Sequence, residues 1–330
     1  MNMWNRQLVD IDNDQLRITV EPDRGGSILQ VTTVKSGRNI LHLQTNAPRT
    51  PAGETVVDLD GWIDQYAGGW QTVAPNGGTA CTVNGARYGW HGEASVSPWN
   101  VLSVGEQSIV LERTLTSLPL QLIKQIELIG SAVHVVETAQ NLDEESVDFM
   151  WSQHPALKAV QASTYPCLQT NASHWVADSP QDVVGMPIAG ASNGSWLALS
   201  GRPDATLAIN GGWAGLVYLD DFSDHVAWAS LGWPDASLTA CLVWDANIMP
   251  FMWLWIETGG TAGYPWRSDA HIVGLEPATT IPAAGLAEVP REALFHLNGK
   301  AAATTKYTLH VCERSGAISS ARHEGVEFLD

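Results

Sequence analysis

Three short segments, far apart in the sequence, each contain one residue that can transfer protons. They are the segments YGWHGE around His91, WSQHPA around His154 and GLEP around Glu276. Imidazole and carboxylate side chains are the usual general acids and bases of proteins near neutral pH. If the three were brought together in one pocket, they could move protons on a neutral substrate without any cofactor.

The neighbours of these residues are suggestive, although each residue also has an ordinary explanation. Gly92 would let a ligand or another backbone come close to His91. Pro155 biases His154 towards an extended backbone, and Glu276 ends an apolar run, where a carboxylate is costly unless it is paired or used. A hydrogen-bonded histidine or a surface glutamate would account for any one of them alone.

Other kinds of site are weaker. Two histidines and a carboxylate can bind a metal ion, but a cupin-like site uses closely spaced histidines, and these lie 63 residues apart (154 minus 91). The G-x-S-x-G elbow of serine hydrolases is absent, because segment 25–29 lacks the final glycine. No P-loop or dinucleotide fingerprint appears. We therefore expect neither a metal ion nor another cofactor.

The composition restricts the partners. The chain has 330 residues, 45% of them hydrophobic and 16% charged, with a formal net charge of −18. Such a charge argues against nucleic acid and against an anionic membrane surface, since both require clustered Lys and Arg. A small neutral or modestly charged substrate remains open.

The sequence also predicts a cytoplasmic location. The first residues lack a basic segment followed by an apolar run, so no signal peptide is expected. No stretch approaches the roughly 20 apolar residues that would span a bilayer. The four cysteines show no paired spacing, so a disulfide framework or structural zinc site is not expected. They are Cys81, Cys167, Cys241 and Cys312.

The elements that must position these residues are mostly strands. Apolar residues alternate with polar ones at Leu16, Ile18 and Val20, and again in segment 307–311. Segments 122–128 and 133–135 flank Gly130 and Ser131, which predicts a β-hairpin with a two-residue turn. Segment 251–256 is apolar on both faces, as in a strand buried on both sides.

Turns rich in glycine, proline and asparagine separate these runs, and no long amphipathic helix or strand–helix alternation is present. The pattern therefore predicts an all-β fold, a large antiparallel β-sandwich, with residues 1–330 forming a single domain.

Fifteen tryptophans is a high number for this length. A tryptophan ring offers a flat apolar face and one N–H donor, which suits the apolar C–H faces of sugar rings. Most of the fifteen are expected to fill the core. The candidates for a ligand site lie next to glycine, proline or the candidate catalytic residues: Trp70, Trp90, Trp151 and Trp266.

The chain resembles the aldose 1-epimerase (galactose mutarotase-like) family. The resemblance is carried by segments 84–94 with 98–101, 151–157, and 263–267 leading to 275–277, supported by 297–300 and 308–311. The order His, His, Glu matches the family. In the region where the family often has an Asn-Arg segment, this chain has segments 68–72 and 75–78 instead. The family also has a substrate-binding acid between the second histidine and the glutamate, for which Asp220 and Asp221 are the candidates. The chain thus resembles a divergent branch.

The resemblance implies a β-supersandwich and the interconversion of α and β anomers of a free sugar, with no redox cofactor. It makes Glu276 the base, His154 the acid and His91 a residue that hydrogen-bonds near the ring oxygen. The arginines could meet sugar hydroxyls or an anionic substituent. The residues predicted to bind substrate are Arg87, Trp70, Gln71, Trp151, Trp266 and Arg267.

Three alternatives stay open. The first is a non-catalytic carbohydrate-binding protein on the same fold. The second is a related mutarotase or epimerase acting on a phosphorylated or sulfonated sugar, which the net charge mildly disfavours. The third is a metal-dependent isomerase.

Overall fold

A computed structural model describes residues 6–44, 57–188, 190–201 and 206–329. Residues 1–5, to which the expectation about a signal peptide applies, lie outside that range. Two short α-helices occur among the described residues, α1 (Leu59–Gln65) and α2 (Trp196–Ser200). The strands of the same residues are β1 (Val9–Asp12), β2 (Leu16–Glu21), β3 (Ser27–Thr33), β4 (Trp70–Val73), β5 (Cys81–Val83), β6 (Ala86–Tyr88), β7 (Asn100–Val104), β8 (Ser108–Thr114), β9 (Leu120–Ile129), β10 (Ala132–Asn141), β11 (Val147–Phe149), β12 (Ser152–Lys158), β13 (Cys167–Thr170), β14 (Ala172–Ala177), β15 (Asn193–Ser195), β16 (Leu207–Ala208), β17 (Ala214–Phe222), β18 (Val226–Trp233), β19 (Leu238–Asp245), β20 (Phe251–Thr258), β21 (His271–Ala278), β22 (Phe295–Leu297), β23 (Ala302–Cys312), β24 (Ile318–Arg322) and β25 (Gly325–Phe328).

The chain divides into two compact units. Unit 1 contains residues 1–130, 134–155 and 278–306, and unit 2 contains residues 131–133, 156–277 and 307–330. The prediction of a single domain over residues 1–330 stays a prediction, and each unit is described by itself.

Unit 1 contains the two-stranded sheets β11-β22 and β5-β6 and strands of two larger sheets. In one of the larger sheets the strands follow the order β1-β2-β3-β4-β12, and in the other they follow the order β23-β10-β9-β8-β7. The registered pairs in both are antiparallel, for example β1 with β2 and β8 with β9. Along β9 and β10 buried side chains alternate with more exposed ones, so most of these two strands buries one side chain in two.

A buried polar network joins the two larger sheets of unit 1. The carboxylate of Glu137, on β10, accepts hydrogen bonds from Thr72 Oγ1 at 2.6 Å, Trp151 Nε1 at 2.6 Å and Gln153 Nε2 at 3.3 Å. The ammonium group of Lys124, on β9, lies 3.8 Å from the same carboxylate. All these side chains are buried, and the donors compensate the desolvation of the Glu137 charge.

Unit 2 contains the two-stranded sheet β24-β25 and strands of two larger sheets. The strand orders in the larger sheets are β12-β21-β20-β17-β14-β15 and β16-β13-β18-β19-β23. Phe222, on β17 of the first, packs edge-on against Trp244, on β19 of the second, with ring centroids 5.2 Å apart. This ring contact joins the two larger sheets of the unit.

The predicted all-β antiparallel fold is confirmed. Gly130 and Ser131 form the two-residue turn between β9 and β10, and Gly130 has a φ of +55°. Leu16, Ile18 and Val20 are buried on β2. Strand β20 is buried on both faces for most of its length, as its continuous apolar run predicts.

Candidate functional site

His91 lies in a loop of unit 1 that Asn76 holds in place. The Asn76 amide nitrogen donates to the carbonyls of Thr79 and Gly89, at 2.9 and 2.8 Å, and its oxygen accepts the Leu286 N–H at 2.8 Å. Gly92 has a φ of +71°, and a Cβ there would lie 2.3 Å from the Ala74 carbonyl oxygen. The glycine after His91 is therefore needed for a close approach of two backbone segments, as the sequence suggests.

A hydrogen bond to its ring determines the tautomer of His91. The backbone N–H of Gly78 donates to His91 Nδ1 at 3.1 Å, and the backbone N–H of His91 donates to the Gly78 carbonyl at 3.1 Å. Because Nδ1 is an acceptor, the proton of the neutral ring is on Nε2. His91 is thus oriented as an N–H donor.

His154 lies on β12, where its partner in the register is Gln71 of β4. Along these strands successive side chains point to opposite faces of the sheet. Thr72 and Gln153 point towards Glu137 in the core, so Gln71 and His154 project from the other face. The polar network and the candidate site thus lie on the two sides of the same pair of strands.

The structure brings His91 and His154 together. Their ring centroids are 5.3 Å apart with an interplanar angle of 65°. Trp62 of α1 lies edge-on to both, at 4.8 Å from His91 and 5.7 Å from His154. Tyr66, the residue that follows α1, contacts His154 at 5.8 Å, and Trp90 contacts His91 at 5.4 Å. The two imidazoles therefore lie inside an aromatic cage.

Burial keeps both rings neutral. It lowers the pKa of His154 from 6.5 to about 4. Burial, and then the proximity of His154, hold the pKa of His91 well below its ordinary value. A charged ring in this cage would lose its hydration, and two imidazolium rings this close would repel each other. At pH 7 the pair consists of two neutral imidazoles, each with one donor and one acceptor.

Several polar atoms around the pair are buried without a hydrogen-bond partner among the residues that the structure describes. They are Trp62 Nε1, Trp90 Nε1 and Gln71 Oε1. Buried polar groups are nearly always paired in native proteins, and the exceptions often lie at functional sites. The arrangement therefore offers two N–H donors and one oxygen acceptor that are not used within the described residues.

Glu276 lies in unit 2, on β21, and is buried. Burial raises the pKa of its carboxyl well above 4.5. A Cβ added at Gly274 would lie 2.2 Å from Glu276 Oε1, so the carboxylate occupies the space beside that glycine. The absence of a side chain at Gly274 therefore leaves the space that the Glu276 carboxylate occupies.

Trp70 and Trp151 are not brought to the histidines. Trp70 Nε1 donates to Gln153 Oε1 at 2.9 Å, and Trp151 Nε1 donates to Glu137 at 2.6 Å. Both rings are fully buried on the core side of β4 and β12. Gln71, which is also predicted to bind substrate, lies on the same face of the sheet as His154.

Arg87 lines a separate cleft of unit 1. The cleft has a volume of about 400 Å³, lies between the start of α1 and the β5–β6 hairpin, and includes Asp58, Gly61 and Tyr88 in its wall. Arg87 is exposed, and the structure describes no hydrogen bond or ion pair of its guanidinium. The cleft offers a donor and a carboxylate to a polar ligand.

Trp266 and Arg267 lie in the loop before β21, in unit 2. The Trp266 ring packs against Trp255 of β20 at 5.5 Å, and Arg267 is exposed with a φ of +47°. The buried carboxylate of Glu257 holds this loop by accepting the N–H groups of Gly259 and Thr261. Asp220, one candidate for the substrate-binding acid, is paired with His174 at 2.7 Å.

Sequence reasoning missed Trp62 and Tyr66. Helix α1 is one short element, with Asp58 at its N-cap accepting the Gly61 N–H at 2.9 Å. Asp58 followed by aromatic residues four positions apart is a signal for a capped helix with one aromatic face. Its seven residues are too few for the helical period to stand out.

No cluster of three or more His, Cys, Asp or Glu side chains that could bind a metal ion is found in residues 6–44, 57–188, 190–201 and 206–329. Over the same ranges, no helix is both long and apolar enough to cross a membrane.

Sequence comparisons find no family model and no curated protein that matches this chain. Solved structures do match it. The Slr1438 protein from Synechocystis sp. PCC 6803 has a TM-score of 0.68 at 16% identity, covering 94% of this chain and 96% of that chain. A galactose mutarotase related enzyme from Lactobacillus acidophilus has a TM-score of 0.64 at 14% identity, covering 98% and 100%.

A galactose mutarotase-like protein from Clostridium acetobutylicum has a TM-score of 0.62 at 12% identity, covering 94% of this chain and 96% of that chain. At these identities the likeness shows the fold. The chain therefore has the galactose mutarotase-like fold that the resemblance implies, in a divergent sequence.

Proposed function

We propose that this protein is an aldose 1-epimerase, which interconverts the α and β anomers of a free sugar by opening and closing its ring. The observation that carries the proposal is the pair of buried neutral imidazoles, His91 and His154, 5.3 Å apart in an aromatic cage. The galactose mutarotase-like fold supports it.

The chemistry requires two proton transfers. A base takes the proton of the anomeric hydroxyl while an acid protonates the ring oxygen, and the bond between C1 and that oxygen breaks to give the open-chain aldehyde. Rotation about the C1–C2 bond followed by the reverse steps produces the other anomer. All atoms and electrons are retained, so no oxidant, reductant or cofactor is consumed.

In this proposal His91 donates its Nε2–H to the ring oxygen, because its Nδ1 already accepts the Gly78 N–H. Glu276 is the base and His154 the acid, the roles that the family resemblance gives them. Since burial lowers the pKa of His154 to about 4, the proposal requires that this pKa rise in the sugar complex.

Polarimetry and exchange NMR on freshly dissolved sugars test the proposal. We expect the protein to accelerate equilibration of at least one member of a panel of hexoses, pentoses and acidic sugars. His154→Asn and Glu276→Gln should each lower kcat/KM about 100-fold or more. His225→Asn is the matched control, because that side chain is 70% exposed.

Acceleration of no sugar in the panel would overturn the proposal. Binding without acceleration would instead indicate a non-catalytic carbohydrate-binding protein. Acceleration confined to phosphorylated or sulfonated sugars would assign the same reaction to an anionic substrate.

A further inference from the structure

Trp62 occupies the centre of the histidine cage. It is the fourth residue of α1, its side chain is 3% exposed, and its ring contacts His91 and His154 at 4.8 and 5.7 Å. Tyr66 stacks on the Trp62 ring with centroids 4.6 Å apart. The indole is therefore held in a defined orientation directly against both imidazoles.

The indole N–H of Trp62 differs from those of other buried tryptophans in unit 1. Trp70, Trp99 and Trp151 all donate their Nε1–H to an oxygen, at 2.9, 3.0 and 2.6 Å. Trp62 Nε1 is buried and has no acceptor among the described residues. An N–H removed from water without an acceptor is unfavourable, so a bound molecule that accepted it would gain affinity.

The side-chain oxygen of Gln71 is a buried acceptor on the face of the sheet that carries His154. Gln71 Oε1 has no donor among the described residues, while its Nε2 donates to the Ser95 carbonyl at 3.4 Å. Gln71 faces His154 across the β4–β12 register. A ligand that satisfies both atoms must accept one hydrogen bond and donate another, which hydroxyl groups do and a carboxylate, sulfonate or phosphate dianion alone does not.

We propose that Trp62 is a substrate-contacting residue of the histidine site, whose Nε1–H donates to a ring hydroxyl of a neutral sugar. This inference rests on the proposed function and adds the substrate class, a sugar carrying uncharged hydroxyls beside the imidazole pair. The ring of Trp62 supplies an apolar surface for the sugar C–H groups, and its N–H selects one hydroxyl.

Trp62→Phe keeps an aromatic ring and removes the N–H. Its kcat/KM is to be measured for D-glucose and D-galactose and for their monodeoxy analogues at C2, C3, C4 and C6. We expect a loss of about fivefold to fiftyfold on the parent sugars and on all analogues except one. The exception is the analogue that lacks the hydroxyl contacted by Trp62, on which the variant and the wild type should be equal.

Trp175→Phe is the matched control. Trp175, on β14 of unit 2, is also buried with an Nε1 that has no acceptor among the described residues. It should leave every kcat/KM unchanged. Thermal unfolding of both variants checks that the fold is intact.

Equal losses on all analogues, or no loss on any sugar, would overturn the role of Trp62 while leaving the proposed function standing. If the wild type binds the sugars by calorimetry without accelerating them, the proposed function fails, and the same deoxy series read as Kd still tests Trp62. If the wild type neither binds nor accelerates any sugar of the full panel of hexoses, pentoses and acidic sugars, both proposals fail.

Discussion

Glu137 and Trp151 are joined in the core of unit 1 by a hydrogen bond of 2.6 Å from the indole Nε1 to the carboxylate. Trp151 immediately precedes β12, and His154 projects from the opposite face of that strand. Glu137 also accepts from Thr72 on β4, the strand paired with β12. One buried carboxylate therefore holds the two strands that carry His154 and Gln71.

Replacing Glu137 with glutamine should destabilise the protein by about 3 kcal/mol, because Lys124 would remain buried without its counter-charge. The free energy of unfolding in urea measures the effect. Glu127→Gln, on the exposed face of β9, should change it by less than about 0.5 kcal/mol. An equal effect of the two changes would contradict the importance of the network.

Protein stability should fall as the pH drops from about 6.5 to about 4, partly because of His154. Its pKa is about 4 in the folded state and 6.5 in the unfolded state, so the unfolded chain binds the proton first. The full effect is about 3 kcal/mol at pH values below both. The difference in Tm between wild type and His154→Gln, followed from pH 7 to pH 4, isolates it. A difference independent of pH would show that His154 is not held neutral.

The pH dependence of kcat/KM should show an acid limb above pH 4.5. Burial raises the pKa of Glu276 well above that value, and a base must be ionised to act. Activity therefore rises as the pH increases through the raised pKa. Initial rates of mutarotation corrected for the uncatalysed reaction give the profile, and a limb at or below 4.5 would argue against Glu276 as the base.

Gly274→Ala should lower kcat/KM about 100-fold, because the new Cβ would lie 2.2 Å from Glu276 Oε1 and displace the carboxylate. Gly325→Ala, also on a strand of unit 2, is the control, since nothing lies within 4 Å of a Cβ there. Full activity of Gly274→Ala would mean that the position of the carboxylate does not matter for the reaction.

Arg87→Ala should raise KM about tenfold with little change in stability if the cleft beside α1 binds part of the substrate. Arg87 is exposed, so its removal leaves no buried group unpaired. Arg17→Ala, which removes a guanidinium that is 63% exposed, should leave KM unchanged. Sugar titrations of the initial rate distinguish the two.

Local patterns in the sequence predict much of the fold. Alternation at Leu16, Ile18 and Val20 and the turn at Gly130 and Ser131 depend on neighbouring residues alone, so their strands and hairpin could be read directly. The positions of His91 beside Gly92 and His154 before Pro155 were also visible. The galactose mutarotase-like fold then follows from the ordered set of blocks.

Local patterns do not show on which face of the sheet a side chain lies or which residues it contacts. Trp70, Gln71 and Trp151 look alike as neighbours of candidate residues, yet Trp70 and Trp151 hydrogen-bond to Gln153 and Glu137 while Gln71 lies on the opposite face of β4, beside His154. Both faces of β4 are buried, so the contacts of each face depend on residues far along the chain.

By itself, the sequence determined an all-β antiparallel chain and the residue types that can move protons. Only the tertiary structure decided that His91 and His154 are in contact and that Trp62 lies against both. Contacts of this kind join residues 63 positions apart (154 minus 91), and no local period records them. The tertiary structure also buries both imidazoles, which lowers their pKa values and keeps the rings neutral.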